Sequence, residues 1–108
     1  TNHEKTQDLS QVLSYKSISL YRQEYRVTKN SKEINLAPKE YKIMELFLQN
    51  PKRVWSRDQL LEQIWGIDYV GDSKTVDVHI RWIREKIEDD ASDPDYIRTV
   101  RGFGYKFG

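Results

Sequence analysis

Two cation-bearing stretches near the C-terminus hold the residue types that could do chemistry. The first, Thr75-Val-Asp-Val-His-Ile-Arg-Trp-Ile-Arg-Glu-Lys-Ile-Glu88, repeats its apolar residues on a helical period and sets basic ones on the other side. The second, Tyr96-Ile-Arg-Thr-Val-Arg-Gly-Phe-Gly-Tyr-Lys-Phe107, splits into two short β runs around Arg101-Gly102-Phe103-Gly104. From Lys74 to Arg84 there are three cations against one acid, and from Tyr96 to Lys106 three cations and no acid. A basic helix followed at once by a basic hairpin has the shape and charge to fill a DNA major groove and touch the adjoining backbone. The net charge of +1 hides this, because Glu85 to Asp95 concentrates six acids against Lys86 alone. Acids on a turn directed away from a duplex do not oppose phosphate binding by the segments on either side.

The helix must be anchored to present such a face. At about 100° per residue, Val76, Ile80, Ile83 and Ile87 fall within about 60° of one another, which predicts a narrow core stripe on a helix from about Thr75 to Glu88. Lys74, Thr75, Val78, Arg81, Trp82 and Glu85 lie opposite, with His79 and Arg84 on the flanks. Asp72 or Ser73 can cap this helix. Upstream, Ser56-Arg-Asp-Gln59 is a capping-box pattern that opens a second helix through about Trp65, with Leu60, Leu61 and Ile64 inward and Gly66 ending it. Pro38 opens a first helix that runs to about Gln49 and stops at Asn50-Pro51. Its apolar side carries Tyr41, Ile43, Met44, Leu46, Phe47 and Leu48, and Ala37 is a weak cap. Before it, Ile18 and Leu20, Tyr25 and Val27, and Ile34 and Leu36 alternate as a small antiparallel sheet buried on one face. Three helices and a C-terminal hairpin make a winged helix-turn-helix, of α+β class, over residues 13–108. Residues 1–12 are polar and unpatterned, as expected of a linker or tail.

With 108 residues, 37% of them apolar, the chain suits one folded domain. No apolar run approaches the ~20 residues of a membrane span. The absence of cysteine removes disulfides and thiolate metal sites and fits a cytoplasmic setting. The only methionine is Met44, so the expectation is a segment of a longer protein or a processed product. No nucleophile–base pair, nucleotide loop or metal cluster is visible, which argues against an enzyme, and no cofactor is expected. Asp89-Asp90 and Asp93-Pro94-Asp95 lack a supporting His or a calcium-loop pattern and are expected to be a solvated turn.

The motifs Leu36-Ala-Pro-Lys-Glu-Tyr41, Val54-Trp-Ser-Arg-Asp-Gln-Leu-Leu61, Ile64-Trp-Gly66, Thr75-Val-Asp-Val-His-Ile-Arg81 and Thr99-Val-Arg-Gly-Phe-Gly-Tyr105 resemble, in order and spacing, the C-terminal effector domain of OmpR/PhoB-type response regulators. The resemblance implies a four-stranded N-terminal sheet, a three-helix core and a winged hairpin. It implies a receiver domain upstream and a linker remnant at residues 1–12. It implies a head-to-tail dimer on direct-repeat DNA half-sites, with the isolated domain monomeric. It further implies contact with RNA polymerase through Gly66, Ile67, Asp68, Tyr69, Val70, Gly71, Asp72 and Ser73. The localisation that follows is cytoplasmic, at the nucleoid when bound. Ala37 stands where the family often has a capping Thr, and Trp82 where some relatives have Arg.

Each expected DNA contact has a plainer alternative. Lys74 and Arg81 are either solvated cations or contacts to phosphate and guanine. Thr75 supports the helix start or lends its hydroxyl and the free backbone N–H groups to a phosphate. Val78 is an ordinary exposed valine or a partner for a thymine methyl. His79 is structural, or touches phosphate through a ring N–H. Arg84 pairs with Glu88 four residues on or contacts the backbone. Trp82 packs beneath the wing or meets DNA. In the hairpin, Gly102 and Gly104 supply positive φ, which leaves Arg101 for a phosphate or minor groove. Thr99 can donate to the same backbone, and Tyr105 is either core or contact. The runner-up function is a winged helix that binds protein with this surface.

Overall fold

The computed structural model describes residues 11–108. Its first layer is an antiparallel meander in the order β1 (Val12–Tyr15), β2 (Ile18–Tyr21), β3 (Arg26–Lys29) and β4 (Lys32–Ile34). Leu20 sits opposite Val27, and Val27 opposite Ile34, so one face of alternate residues points at the helices. Ile18 and Leu20 are fully buried there. Asn30 and Ser31, at φ 53° and 67°, close the β3–β4 hairpin, a two-residue turn whose positive angles suit the twist of the strands. Of the expected tail 1–12, residues 1–10 lie outside the described range, and Val12 already belongs to β1. Tyr25 departs from expectation: it does not alternate inward with Val27. It ends the preceding turn at φ 50°, which swings its side chain out to 77% exposure against the edge of the Tyr41 ring.

α1 (Pro38–Gln49) buries Tyr41, Ile43, Met44, Phe47 and Leu48. Ala37 has no hydroxyl to cap it, so only half of a capping box forms: the Ala37 N–H donates to Glu40 Oε1 at 2.9 Å. Glu40 is itself buried, and its second partner is Lys86 Nζ at 2.6 Å. β5 (Val54–Trp55) leads into α2 (Arg57–Ile64), where both halves of the box are present. The Gln59 N–H donates to Ser56 Oγ at 3.0 Å and the Ser56 N–H to Gln59 Oε1 at 2.9 Å. α3 (Lys74–Ile87) starts and ends one residue earlier than expected, and Val76, Ile80, Ile83 and Ile87 are all 0% exposed. Four isoleucine-class side chains removed from water contribute roughly 1.5–3 kcal/mol each, which fixes the rotation of the helix about its axis.

β6 (Ile97–Val100) and β7 (Gly104–Phe107) form the hairpin and join β5 in a three-stranded sheet of order β5-β7-β6. Gly104, at φ 145°, lies where any Cβ would collide with the Trp55 carbonyl, so the strand junction requires glycine. The turn from α3 into β6 is held by one carboxylate. Glu88 accepts from the backbone N–H groups of Asp95, Tyr96 and Ile97 at 2.7 to 3.1 Å. The N-terminal sheet is tied to the same corner, because Lys29 Nζ donates to the Ile87 carbonyl at 2.6 Å and meets Asp89 at 2.7 Å.

Candidate nucleic-acid interface

α3 begins in an Asx-type turn, with the Lys74 N–H donating to Asp72 Oδ1 at 2.9 Å. Of the two candidate caps Asp72 is therefore the one used, and the Ser73 hydroxyl makes no cap bond. Because the isoleucine seam faces the core, the opposite side stands free. Lys74 and Arg81 are exposed, and Val78 and Trp82 are 42% and 44% exposed. These two apolar side chains are one turn apart on an otherwise polar face. Arg81 leans toward Glu85, with Nε 3.7 Å from the carboxylate, a solvated pair worth little in the fold and readily exchanged for another anion.

Trp82 does not pack beneath the wing; its ring meets His79 edge-on at 5.0 Å, and His79 meets Trp65 at 4.9 Å. His79 Nδ1 lies 2.8 Å from the Thr75 carbonyl. A carbonyl only accepts, so the proton of the neutral ring sits on Nδ1 and Nε2 is left as an acceptor. The expected phosphate contact through a ring N–H therefore needs the imidazolium form.

Arg84 corrects another expectation. It does not pair with Glu88; its Nε donates to the Ile97 carbonyl at 3.1 Å and its Nη2 to Thr99 Oγ1 at 2.8 Å, with the guanidinium 5.5 Å from the Tyr105 ring centre. Arg84 thus fastens α3 to β6, and Thr99 keeps its own hydroxyl proton for a donor role. Tyr105 is likewise a post inside the fold and not an open contact. It is 8% exposed, and its hydroxyl donates to Asp77 Oδ1 at 2.6 Å, the carboxylate that also takes Arg57 Nε at 2.9 Å. Burial pushes the Tyr105 hydroxyl above its ordinary value, and the hydrogen bond to Asp77 pushes the same way. Beside Asp77, Arg57 is held still more firmly protonated.

The hairpin ends in a turn closed by the Phe103 N–H to the Val100 carbonyl at 2.9 Å. Arg101, Gly102 and Phe103 are all exposed, with Gly102 at φ 84° and Phe103 72% exposed. Between this turn, the start of α2 and the start of α3 lies an open cleft of about 380 Å³. Ser56, Arg57, Asp58 and Ser73 line it together with Thr99, Gly102 and Phe103. Two of these were missed from sequence. In the sequence Arg57 reads only as part of a capping box, although a cation at a helix N-terminus beside a basic hairpin is a usable signal. Phe103, set between two turn glycines, carries no signal of its own in the sequence.

A cation-faced helix fixed beside a hairpin of this kind is the arrangement of a winged-helix effector domain. The chain belongs to the family described as transcriptional regulatory protein, C terminal, whose model matches residues 31–107. Over 97 residues it is 60% identical to the alkaline phosphatase synthesis transcriptional regulatory protein SphR of Synechococcus elongatus, a match covering 90% of this chain and 38% of SphR. Its fold is similar to that of response regulator DrrB, an OmpR/PhoB homologue from Thermotoga maritima, with a TM-score of 0.83 at 32% identity, covering 90% of this chain and 44% of DrrB. It is also similar to the DNA-binding domain of Klebsiella pneumoniae RstA, solved in complex with the RstA box: TM-score 0.82, 28% identity, 90% of this chain and 96% of that one. The chain spans 38–39% of the length of two of the curated relatives it matches. No helix among the described residues is long and apolar enough to cross a membrane.

Proposed function

We propose that this domain binds double-stranded DNA sequence-specifically as the output half of a two-component response regulator that controls transcription. One observation carries this: α3 leaves Lys74, Val78, Arg81 and Trp82 exposed on one face, and the bonds from Arg84 to Ile97 and Thr99 hold that helix against the hairpin whose exposed turn bears Arg101. With α3 in a major groove, Arg81 and Lys74 reach base edges or phosphate, and Val78 and Trp82 meet thymine methyls or sugars. Thr99 and Arg57 flank the strand in the cleft, Thr75 meets phosphate at the start of α3, and Arg101 enters the next minor groove. The RstA DNA-binding domain, similar in fold, was solved in complex with the RstA box, which supports DNA binding here.

The loop from Gly66 to Ser73 serves as the RNA polymerase contact. Ile67 and Val70 are 81% and 95% exposed, while Tyr69 packs against Trp65 at 6.2 Å and steadies the loop from within. The unmatched length of the relatives fits a receiver domain upstream, joined ahead of β1 and driving head-to-tail pairing on direct repeats. Such a protein works in the cytoplasm, at the nucleoid when bound. The test is selection of bound duplexes from a random pool, followed by affinity against salt. A recovered motif repeated at about one helical turn, bound less tightly as salt rises, is the expected result. Failure to enrich any duplex, with a protein partner captured through the same face, replaces this function with a protein-interaction module.

A further inference from the structure

On the face of the three-stranded sheet turned away from the core, Arg98 and Lys106 are directly cross-strand. In the neighbouring rows Ile97 and Phe107 are 0% exposed and Tyr105 is buried, so alternation puts exposed Arg98 and half-buried Lys106 on the opposite face. Val54 continues their row on β5. Like charges directly opposite each other on a sheet are destabilising. Among the described residues no acid forms an ion pair with either one; the only bond from Arg98 is a 3.5 Å contact to the Asp95 carbonyl. This is a local conflict that the fold does not resolve internally, two residues of strand behind the turn that bears Arg101.

We propose that Arg98 and Lys106 clasp the phosphates of the DNA strand on the far side of the minor groove, the side away from α3. The inference rests on the DNA-binding function above and extends its footprint. Distance supports it: two strand residues are about 6.6 Å, so the row trails the last pair of the hairpin, Val100–Gly104, by about that length. A minor groove is about 7.5 Å deep, which leaves the pair at the lip, where the phosphates lie, when the turn is inside. The inner face of the wing meets one strand through the cleft and its outer face meets the other, so the hairpin is gripped from both sides.

The experiment uses the selected duplex and the double variant Arg98→Gln/Lys106→Gln. Losing two phosphate contacts should make the salt slope shallower by about 1.8, so that raising salt from 50 to 200 mM costs the variant about tenfold less affinity than it costs the parent. Base preference should not change, and thermal stability should hold or rise as the like-charge opposition is relieved. Methylphosphonate groups at the far-strand phosphates beside the minor groove should weaken the parent and leave the variant indifferent. An unchanged salt slope, or equal weakening of both proteins by the methylphosphonates, overturns the proposal. A parent that binds no duplex at any salt overturns the DNA-binding function itself, which is a separable outcome.

Discussion

On α3, Arg84 is tied to Ile97 and Thr99, Lys86 to Glu40, and Arg81 leans toward Glu85. On the hairpin, Arg98, Arg101 and Lys106 have no acidic partner among the described residues. Similar charge is thus held in two ways. The helix spends part of its basic complement on its own position and leaves a few side chains at fixed places, as base reading requires. The hairpin leaves its cations loose around a glycine turn, which suits attraction to phosphate regardless of sequence. Position is the property of the helix, and field the property of the wing.

The largest expected effect comes from cutting the joint between them. Glu88→Ala strands the buried N–H groups of Tyr96 and Ile97 as well as that of Asp95. Unsatisfied buried donors cost on the order of 1–3 kcal/mol each before relaxation, so a loss of about 3 kcal/mol in urea unfolding is expected. A loss under about 1 kcal/mol would mean that the helix and wing keep their relation without this carboxylate. Next in size is the proposed reading of bases by α3. Val78→Ala and Arg81→Ala should each cost about 1–3 kcal/mol on the selected site and little on random duplex, measured by competition binding. Smaller and different in kind, Arg101→Ala should weaken all duplexes alike and lower the salt slope by about one. Equal losses on chosen and random DNA for all three variants would erase the distinction between helix and wing.

The parts of this arrangement that depend on local pattern were visible in the chain. The isoleucine seam, the Ser56–Gln59 box and the glycine turn each involve residues within a few positions of one another, and each formed where expected. The parts that depend on long-range partners were not. Glu40 looks like a solvent-facing residue, yet Lys86, 46 positions away, draws it into the core. Arg84 had an obvious local partner in Glu88, but Glu88 is consumed by three backbone donors and Arg84 turns to β6, 13 positions on. Tyr25 obeyed the period-2 pattern in type but sits at a positive φ, which hydrophobicity does not reveal. Binary pattern specifies which face of an element is buried; it does not specify which of several acids a cation chooses.

Asp77 gives the smallest effect and separates a working tyrosine from an idle one. Tyr105→Phe removes a 2.6 Å bond to a carboxylate that keeps Arg57 as a partner, so the cost should be about 1 kcal/mol at neutral pH. Tyr41→Phe should be close to neutral, because the Tyr41 hydroxyl is buried without a partner among the described residues and its removal breaks nothing. Both hydroxyls are pushed above the ordinary 10.0, first by burial, then by Asp77 for Tyr105 and by Glu45 for Tyr41. A value higher in the folded than in the unfolded chain favours the folded state while the pH is below 10.0, and that contribution is lost as pH rises through the folded value. The parent should therefore lose stability above pH 10 more steeply than either variant, followed by thermal unfolding across that range. If Tyr41→Phe leaves the alkaline slope unchanged while Tyr105→Phe flattens it, the Asp77 bond rather than burial governs the titration, and the tie between wing and helix is the pH-sensitive one.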